Sequence, residues 1–183
     1  MTMRGGLRII AGTALIVAVA GGLVAGGVYA AGGRINTSKS LELGLYWTVD
    51  RPVAVGTYVM FCPPEQKIFI EAKKRGYVGA GFCPGGFSPL MKKVLAARGD
   101  TIAVTPRGVT VNGQVLPYSK PVSVDGLGRA LPHVPPEEHT LDASELLLMT
   151  DISPTSFDGR YFGPISIEQI TAVIRPVLTW KGE

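Results

Sequence analysis

Histidine and cysteine are scarce in this chain, two of each, and the scarcity removes several common chemistries before any motif is read. His133 and His139 fall in or beside a proline-rich stretch, where a catalytic base would be poorly held, so a histidine-based triad is set aside. Two histidines and two distant cysteines offer no convergent ligand set, so neither a metal site nor a cofactor is expected. Charge is sparse as well: 17% of residues are charged against 46% hydrophobic, which argues against a wholly disordered chain. From Ile9 to Gly33 no charged side chain occurs for 25 residues, whereas all 14 acidic and 16 of the 18 basic residues lie from Arg34 onward. That asymmetry argues against a soluble cytoplasmic protein. With 16 basic residues against 14 acidic ones after the apolar run, the balance there is +2, and nothing points to nucleic acid.

As a helix the uncharged run would reach roughly 37 Å, enough to cross a bilayer core of about 30 Å with some tilt. Arg4 and Arg8 precede it, and the positive-inside bias holds such a tail in the cytoplasm. The expected organisation is a cytoplasmic N-terminus over 1–8, a transmembrane anchor over 9–33 and one periplasmic domain over 34–183. A cleaved secretory signal is the competing reading, because Val28-Tyr29-Ala30 resembles a small-residue cleavage motif, although signal cores usually run only about 7 to 15 residues. Gly22 and Gly26 are spaced as in a helix-packing face, or are ordinary small residues of a span. With this topology Cys62 and Cys83 meet an oxidising compartment, and a disulfide is their simplest use. Closing a loop of about 20 residues typically contributes about 3 kcal/mol.

After Asn36 the pattern is one of short β-rich runs broken by Gly and Pro, as in Gly56–Phe61 and Thr101–Thr105, and it predicts a mainly β domain. Asn112-Gly113 between Val111 and Gln114-Val115 predicts a tight hairpin, because both central residues tolerate positive φ. Glu65–Arg75 follows Pro63-Pro64, carries Ile68, Phe69 and Ala72 at helical spacing and ends at Gly76, so one short helix is expected there. Its basic run Lys73-Lys74-Arg75 reads as a solvated face or a contact for an acidic partner or anionic lipid. Leu116–Pro136 holds five prolines and no periodicity, and is expected to be an extended excursion of weak order. Ile170–Trp180 reads as a closing strand, with Pro176 placing it at an edge or a bulge.

Serine with lysine is the chemistry left. Three blocks carry it: Asn36-Thr37-Ser38-Lys39-Ser40, Leu90-Met91-Lys92-Lys93-Val94 ahead of Arg98-Gly99-Asp100, and Ser156-Phe157-Asp158-Gly159-Arg160 ahead of Gly163. In that order they resemble the serine/lysine signal peptidases, and most closely the conjugative-transfer branch, the TraF-type maturation peptidases of plasmid transfer systems. The resemblance runs from Asn36 to about Ile165, and Phe61-Cys62-Pro63-Pro64, Gly76-Tyr77 and Cys83-Pro84-Gly85-Gly86 also resemble that branch. It implies a signal-peptidase-like antiparallel β domain after the N-terminal transmembrane helix.

By the same resemblance Ser40 is the nucleophile, with Ser38 as the alternative, and Lys92 is the base. A lysine base must lose its proton near neutral pH, and lowering its pKa by about three units means roughly 4 kcal/mol of disfavoured charge, which burial can supply. Strand alternation allows this for Lys92 while leaving Lys93 in solvent. Ser156 would orient the Lys92 amine, Asp158 and Arg160 would pair and hold the site, and Ser38 matches the position that gives a hydroxyl to the oxyanion hole. Glu42 departs from the family, which usually has proline there, so the loop lacks that residue's rigidity. The implied activity is cleavage of a small membrane precursor, a pilin above all, by an inner-membrane serine endopeptidase, with hydrolysis and head-to-tail joining both open. General preprotein processing and a non-catalytic assembly scaffold are the rival readings.

Overall fold

The computed structural model describes residues 3–182, with side chains from Thr13 onward. The chain divides into two compact units at Arg34 and Ile35. The first contains α1 (Met3–Ala30), an unbroken helix of 28 residues. Its window Thr13–Ala30 has a mean hydropathy of 1.9 and no buried residue, so the helix is long and apolar enough to cross a membrane.

The second unit is built from short strands. In chain order they are β1 (Gly33–Asn36), which begins at the boundary, β2 (Leu43–Val49), β3 (Tyr58–Phe61), β4 (Ala80–Cys83), β5 (Leu90–Ala96) and β6 (Thr101–Thr105). There follow β7 (Gly108–Val111), β8 (Gln114–Val115), β9 (His139–Thr140), β10 (Glu145–Met149), β11 (Ile165–Ser166) and β12 (Ile170–Trp180). Helix α2 (Lys67–Lys74) lies between β3 and β4 in the chain, and the single turn α3 (Gly159–Phe162) precedes β11. Seven strands pair in the order β1-β2-β12-β3-β5-β10-β11, and a second sheet runs β8-β7-β6-β9. The pairs with a defined register are antiparallel, so the mainly β, antiparallel expectation holds.

The local signals map onto this frame where short-range chemistry decides the outcome. Asn112 and Gly113 take φ of 50° and 80°, and Val111 pairs with Gln114 across that turn; two successive positive φ values suit the right-handed twist of the flanking strands. Helix α2 buries Phe69 and Ala72, as its spacing predicts. Its basic end is not simply solvated: Lys73 Nζ donates to the carbonyls of Gly85 and Gly86 at 3.1 and 2.7 Å, and Arg75 bonds Glu71 and the Ala130 carbonyl. Strand β12 closes the chain but lies between β2 and β3; the bulge alternative is the one realised, with the register shifting between Pro176 and Leu178. Pairing with β3 stops at Ile174, so the missing N–H of Pro176 breaks no ladder on that side.

The main core packs one face of the long sheet against α2 and α3. Val59, Phe61, Phe69, Phe87, Val94 and Leu148 are almost wholly buried, and Phe157 and Phe162 pack against them. Phe157 lies between Ser156 and Asp158 in the chain, and its ring stacks on Tyr161 with the planes 6° apart. Each such ring buries some 150–250 Å², so the segment that carries the third block is locked to the core. Cys62 and Cys83 are joined by a disulfide, which ties the end of β3 to β4. The excursion 116–136 has no strand or helix, yet it is anchored. Asp125 accepts from Tyr77 Oη, from Arg129 Nε at 2.6 Å and from the amides of Leu127 and Arg129, and these donors hold its carboxyl well below the usual range.

Gly44, the second residue of β2, has φ of +140°, and a Cβ there would stand 2.1 Å from the Leu178 carbonyl oxygen on β12. Gly44→Ala must therefore prise apart two paired strands, and it is expected to cost about 3 kcal/mol. Thermal unfolding of the detergent-solubilised chain measures it; a midpoint equal to wild type would show that the strands yield.

Candidate active site

The three blocks converge in the folded chain. Ser40 sits in the turn between β1 and β2, half-buried, and its Oγ lies 3.0 Å from Ser156 Oγ. Lys92, in the middle of β5, donates from Nζ to the same Ser156 oxygen at 3.0 Å. Ser40 and Lys92 are thus linked through Ser156, whose single hydroxyl faces both.

Strand geometry explains why one lysine of the pair is buried. Val59 of β3 stands opposite Lys92 and Tyr58 opposite Lys93, so the two side chains leave opposite faces of the sheet. Lys92 is 3% exposed. Lys93 on the other face pairs with Asp151 at 2.6 Å and lies over the Tyr58 ring. Burial drives the Lys92 pKa down to about 8; the Asp158 charge opposes the shift and Arg160 adds to it. At that value about a tenth of the amine is neutral at pH 7, against less than a thousandth for a free lysine.

Asp158 and Arg160 lie within the wall of this site, both wholly buried. The guanidinium holds the carboxylate with two bonds, Nε to Oδ1 at 2.8 Å and Nη2 to Oδ2 at 2.9 Å. Its remaining donors reach the carbonyls of Tyr118 and Pro154 at 2.7 and 2.8 Å and of Ser153 at 3.1 Å. Arg160 therefore gathers the excursion and the loop before Ser156 onto one planar group, with a carboxylate to balance its charge. Asp158 also caps α3 by accepting from the Arg160 amide at 3.3 Å. Gly159 between them is small out of necessity: a Cβ would come within 2.8 Å of Leu147 Cδ1 and 3.1 Å of the Leu148 carbonyl.

The turn that carries Ser40 is held by a residue whose role the sequence did not disclose. Asn36, 6% exposed, donates through Nδ2 to the carbonyls of Ser38, Leu41 and Glu42 at 2.9, 3.2 and 3.0 Å. Its Oδ1 accepts from the Ser38 amide at 3.1 Å and from the Ser38 hydroxyl at 3.0 Å. Tyr46 Oη adds a bond to the Glu42 carbonyl at 2.9 Å, and burial pushes its pKa up to about 12, so it stays a donor. The Glu42 side chain accepts from Thr179 Oγ1 of β12 at 2.8 Å. Hydrogen bonds thus supply the stiffness that a proline would have given. The Ser38 hydroxyl is given to Asn36 in this arrangement.

Beside the turn opens a cavity of about 470 Å³ lined by Leu41, Glu42, Tyr118 and Ser153–Thr155, with lysines 39 and 181 among its walls. Its volume suits a few residues of an extended peptide. His139 lies apart from these groups in its contacts, paired with Glu145 at 2.7 Å.

The sequence comparisons agree on the lineage. The chain is 56% identical over 174 residues to the plasmid transfer protein TraF of Escherichia coli, covering 95% of this chain and 98% of that one. It is 35% identical over 184 residues to the conjugal transfer protein TraF of Agrobacterium tumefaciens, covering 98% of this chain and 99% of the other. Among solved structures, a signal peptidase I from Enterococcus faecalis matches 69% of this chain and 98% of its own, at 14% identity and a TM-score of 0.36. The family described as signal peptidase, peptidase S26, matches residues 6–180. With nearly its whole length matched, the chain belongs to the peptidase S26 family of signal peptidases and is a peptidase of the TraF type.

Proposed function

We propose that this peptidase is a serine endopeptidase with Ser40 as nucleophile and Lys92 as general base, acting in plasmid conjugation on a small membrane precursor, a pilin. The observation that carries the proposal is the hydrogen-bonded chain Ser40–Ser156–Lys92, with the lysine buried and depressed to about 8. The relatives named as plasmid and conjugal transfer proteins support the conjugative setting. The apolar run 9–33, helical as far as Ala30, serves as the single-pass inner-membrane anchor, with residues 1–8 in the cytoplasm and 34–183 in the periplasm. This orientation keeps Cys62–Cys83 in an oxidising compartment.

Proton movement follows from the shared hydroxyl. When Lys92 is charged, its ammonium donates to Ser156 Oγ and the Ser156 proton points at Ser40. In the neutral amine the sense reverses: Ser40 gives its proton to Ser156 as Ser156 gives its own to Lys92 Nζ. Ser40 Oγ then attacks the scissile carbonyl carbon. The oxyanion rests on the Ser40 amide and on the Ser38 hydroxyl once that has left Asn36. Collapse breaks the C–N bond, the leaving amine takes the proton held by Lys92, and an ester to Ser40 remains. Water activated by the same route completes hydrolysis, or an amine of the substrate attacks and forms a new peptide bond.

Mass spectrometry of a co-expressed pilin precursor tests this. Ser40→Ala and Lys92→Ala are expected to abolish processing at normal protein levels, while Ser156→Ala lowers the rate about 100- to 1,000-fold, in the range for a lost proton-transfer group. Ser38→Ala retains measurable processing. A product lighter by one water than the linear fragment identifies joining. Full processing by Ser40→Ala overturns the nucleophile, and several unrelated preproteins cut equally well would replace the pilin with general processing.

A further inference from the structure

Resting on the reading of Ser40 as nucleophile, we infer that Asn36 is a positioning residue of the catalytic turn: one buried carboxamide sets the path of the backbone on both sides of the nucleophile. Its contacts have an unusual distribution. All five end on Ser38, Leu41 or Glu42, which bracket Ser40 on its N- and C-terminal sides. A carboxamide that merely filled a gap in the fold would bond to distant elements. This one spans only its own turn, two to six residues ahead, and sits at the end of β1.

The donor and acceptor ends do different work. Nδ2 has two hydrogens and meets three carbonyl oxygens, so it draws Ser38, Leu41 and Glu42 inward around a single point. Three oxygens converging without that donor would repel one another in a site sheltered from water. Oδ1 takes the Ser38 amide and parks the Ser38 hydroxyl. On the far side Tyr46 Oη holds the Glu42 carbonyl as well. The Ser40 amide and Oγ are consequently presented by a closed ring of hydrogen bonds, and Ser40 Oγ is left to Ser156. This is how a turn without proline is kept from wandering, and a nucleophile displaced by about 1 Å loses rate by about 100-fold.

Asn36→Asp separates the two ends. It keeps size and the acceptor for Ser38, but it turns the donor that serves three carbonyls into an anion. Asn36→Ser is a milder companion that removes most of the contacts without adding charge. The assay is cleavage of a synthetic peptide spanning the cut located by mass spectrometry, with Ser40→Ala in parallel. The expected result for both Asn36 variants is a kcat about 100-fold lower, a KM within about twofold of wild type, and faster amide exchange confined to residues 38–42. The alkaline rise of the pH–rate profile, set by Lys92, stays near 8. A wild-type kcat in either folded variant overturns the inference. So does a pH–rate profile that moves toward the ordinary lysine value, which marks opening of the Lys92 pocket and a general packing role, or failure of both variants to fold. Activity retained in Ser40→Ala defeats the nucleophile assignment instead, and with it the basis of this proposal.

Discussion

Lys92→Met is expected to abolish processing and, at neutral pH, to make the folded domain more stable. Lys92 is buried with its pKa lowered from 10.5 to about 8, chiefly by loss of solvent. That difference corresponds to roughly 3 kcal/mol of unfavourable charge burial in the folded state. The sign follows from where the protons are. Below about pH 8 both folded and unfolded chains carry the proton, and the full penalty is present. Between about 8 and 10.5 the unfolded chain holds a proton that the folded one has lost, so stability rises with pH; above 10.5 the penalty is gone. Methionine of similar length removes the charge and keeps the packing. Its advantage over wild type should therefore be largest at pH 6–7, roughly 6–12 °C in midpoint, and vanish toward pH 10.5. The rate of wild type moves the other way, climbing about tenfold per pH unit up to about 8 and then levelling. Thermal scans of both proteins at pH 6.5 and 10 decide it. A Lys92→Met chain less stable at pH 6.5 would mean that the amine's hydrogen bond to Ser156 outweighs its desolvation.

The features legible in the sequence were those decided by neighbours in the chain. Asn112-Gly113 makes its hairpin from two φ values, and Lys92 turns inward while Lys93 turns outward because a strand alternates. Contacts made across long separations were not legible from local chemistry; that Ser156 meets Lys92 was implied only by the family resemblance. Ser156 reaches Ser40 from 116 residues away and Lys92 from 64, so its bridging position depends on β5 and the loop before α3 meeting in the fold. Read alone, Pro176 marks an edge or a bulge; only the pairing of β12 with β2 and β3 settles between them. The excursion 116–136 looks unstructured because its anchors lie elsewhere in the chain, at Tyr77, Arg75 and Arg160. The role of Asn36 was illegible for a different reason. Asparagine before a turn is commonplace, and nothing in its identity says that three carbonyls will converge on one amide nitrogen.

Arg160→Met should be the most destabilising change in the site, and its effect on the pH profile should oppose that of Asp158→Asn. The pair is wholly buried, and removing one member leaves the other as an uncompensated charge, which costs about 3–5 kcal/mol. Arg160→Met adds a second penalty, since the carbonyls of Tyr118, Pro154 and Ser153 lose their donors. The two charges act on Lys92 in opposite senses: Asp158 raises its pKa and Arg160 lowers it, with Asp158 the stronger. In the folded fraction of Asp158→Asn the rise in rate should therefore shift to lower pH, and in Arg160→Met to higher pH by a smaller amount. Chemical denaturation gives the stability and a pH–rate profile gives the shift. Shifts of the same sign in both variants would mean that loosened packing around the lysine, rather than charge, controls its pKa. The double variant separates the two causes. With both charges gone the profile should return toward a rise near 8, while the three unserved carbonyls still leave the loop before Ser156 slack. Its pH dependence should then recover further than its maximal rate, because the pair tunes the base electrostatically and places Ser156 mechanically, through different atoms of one guanidinium.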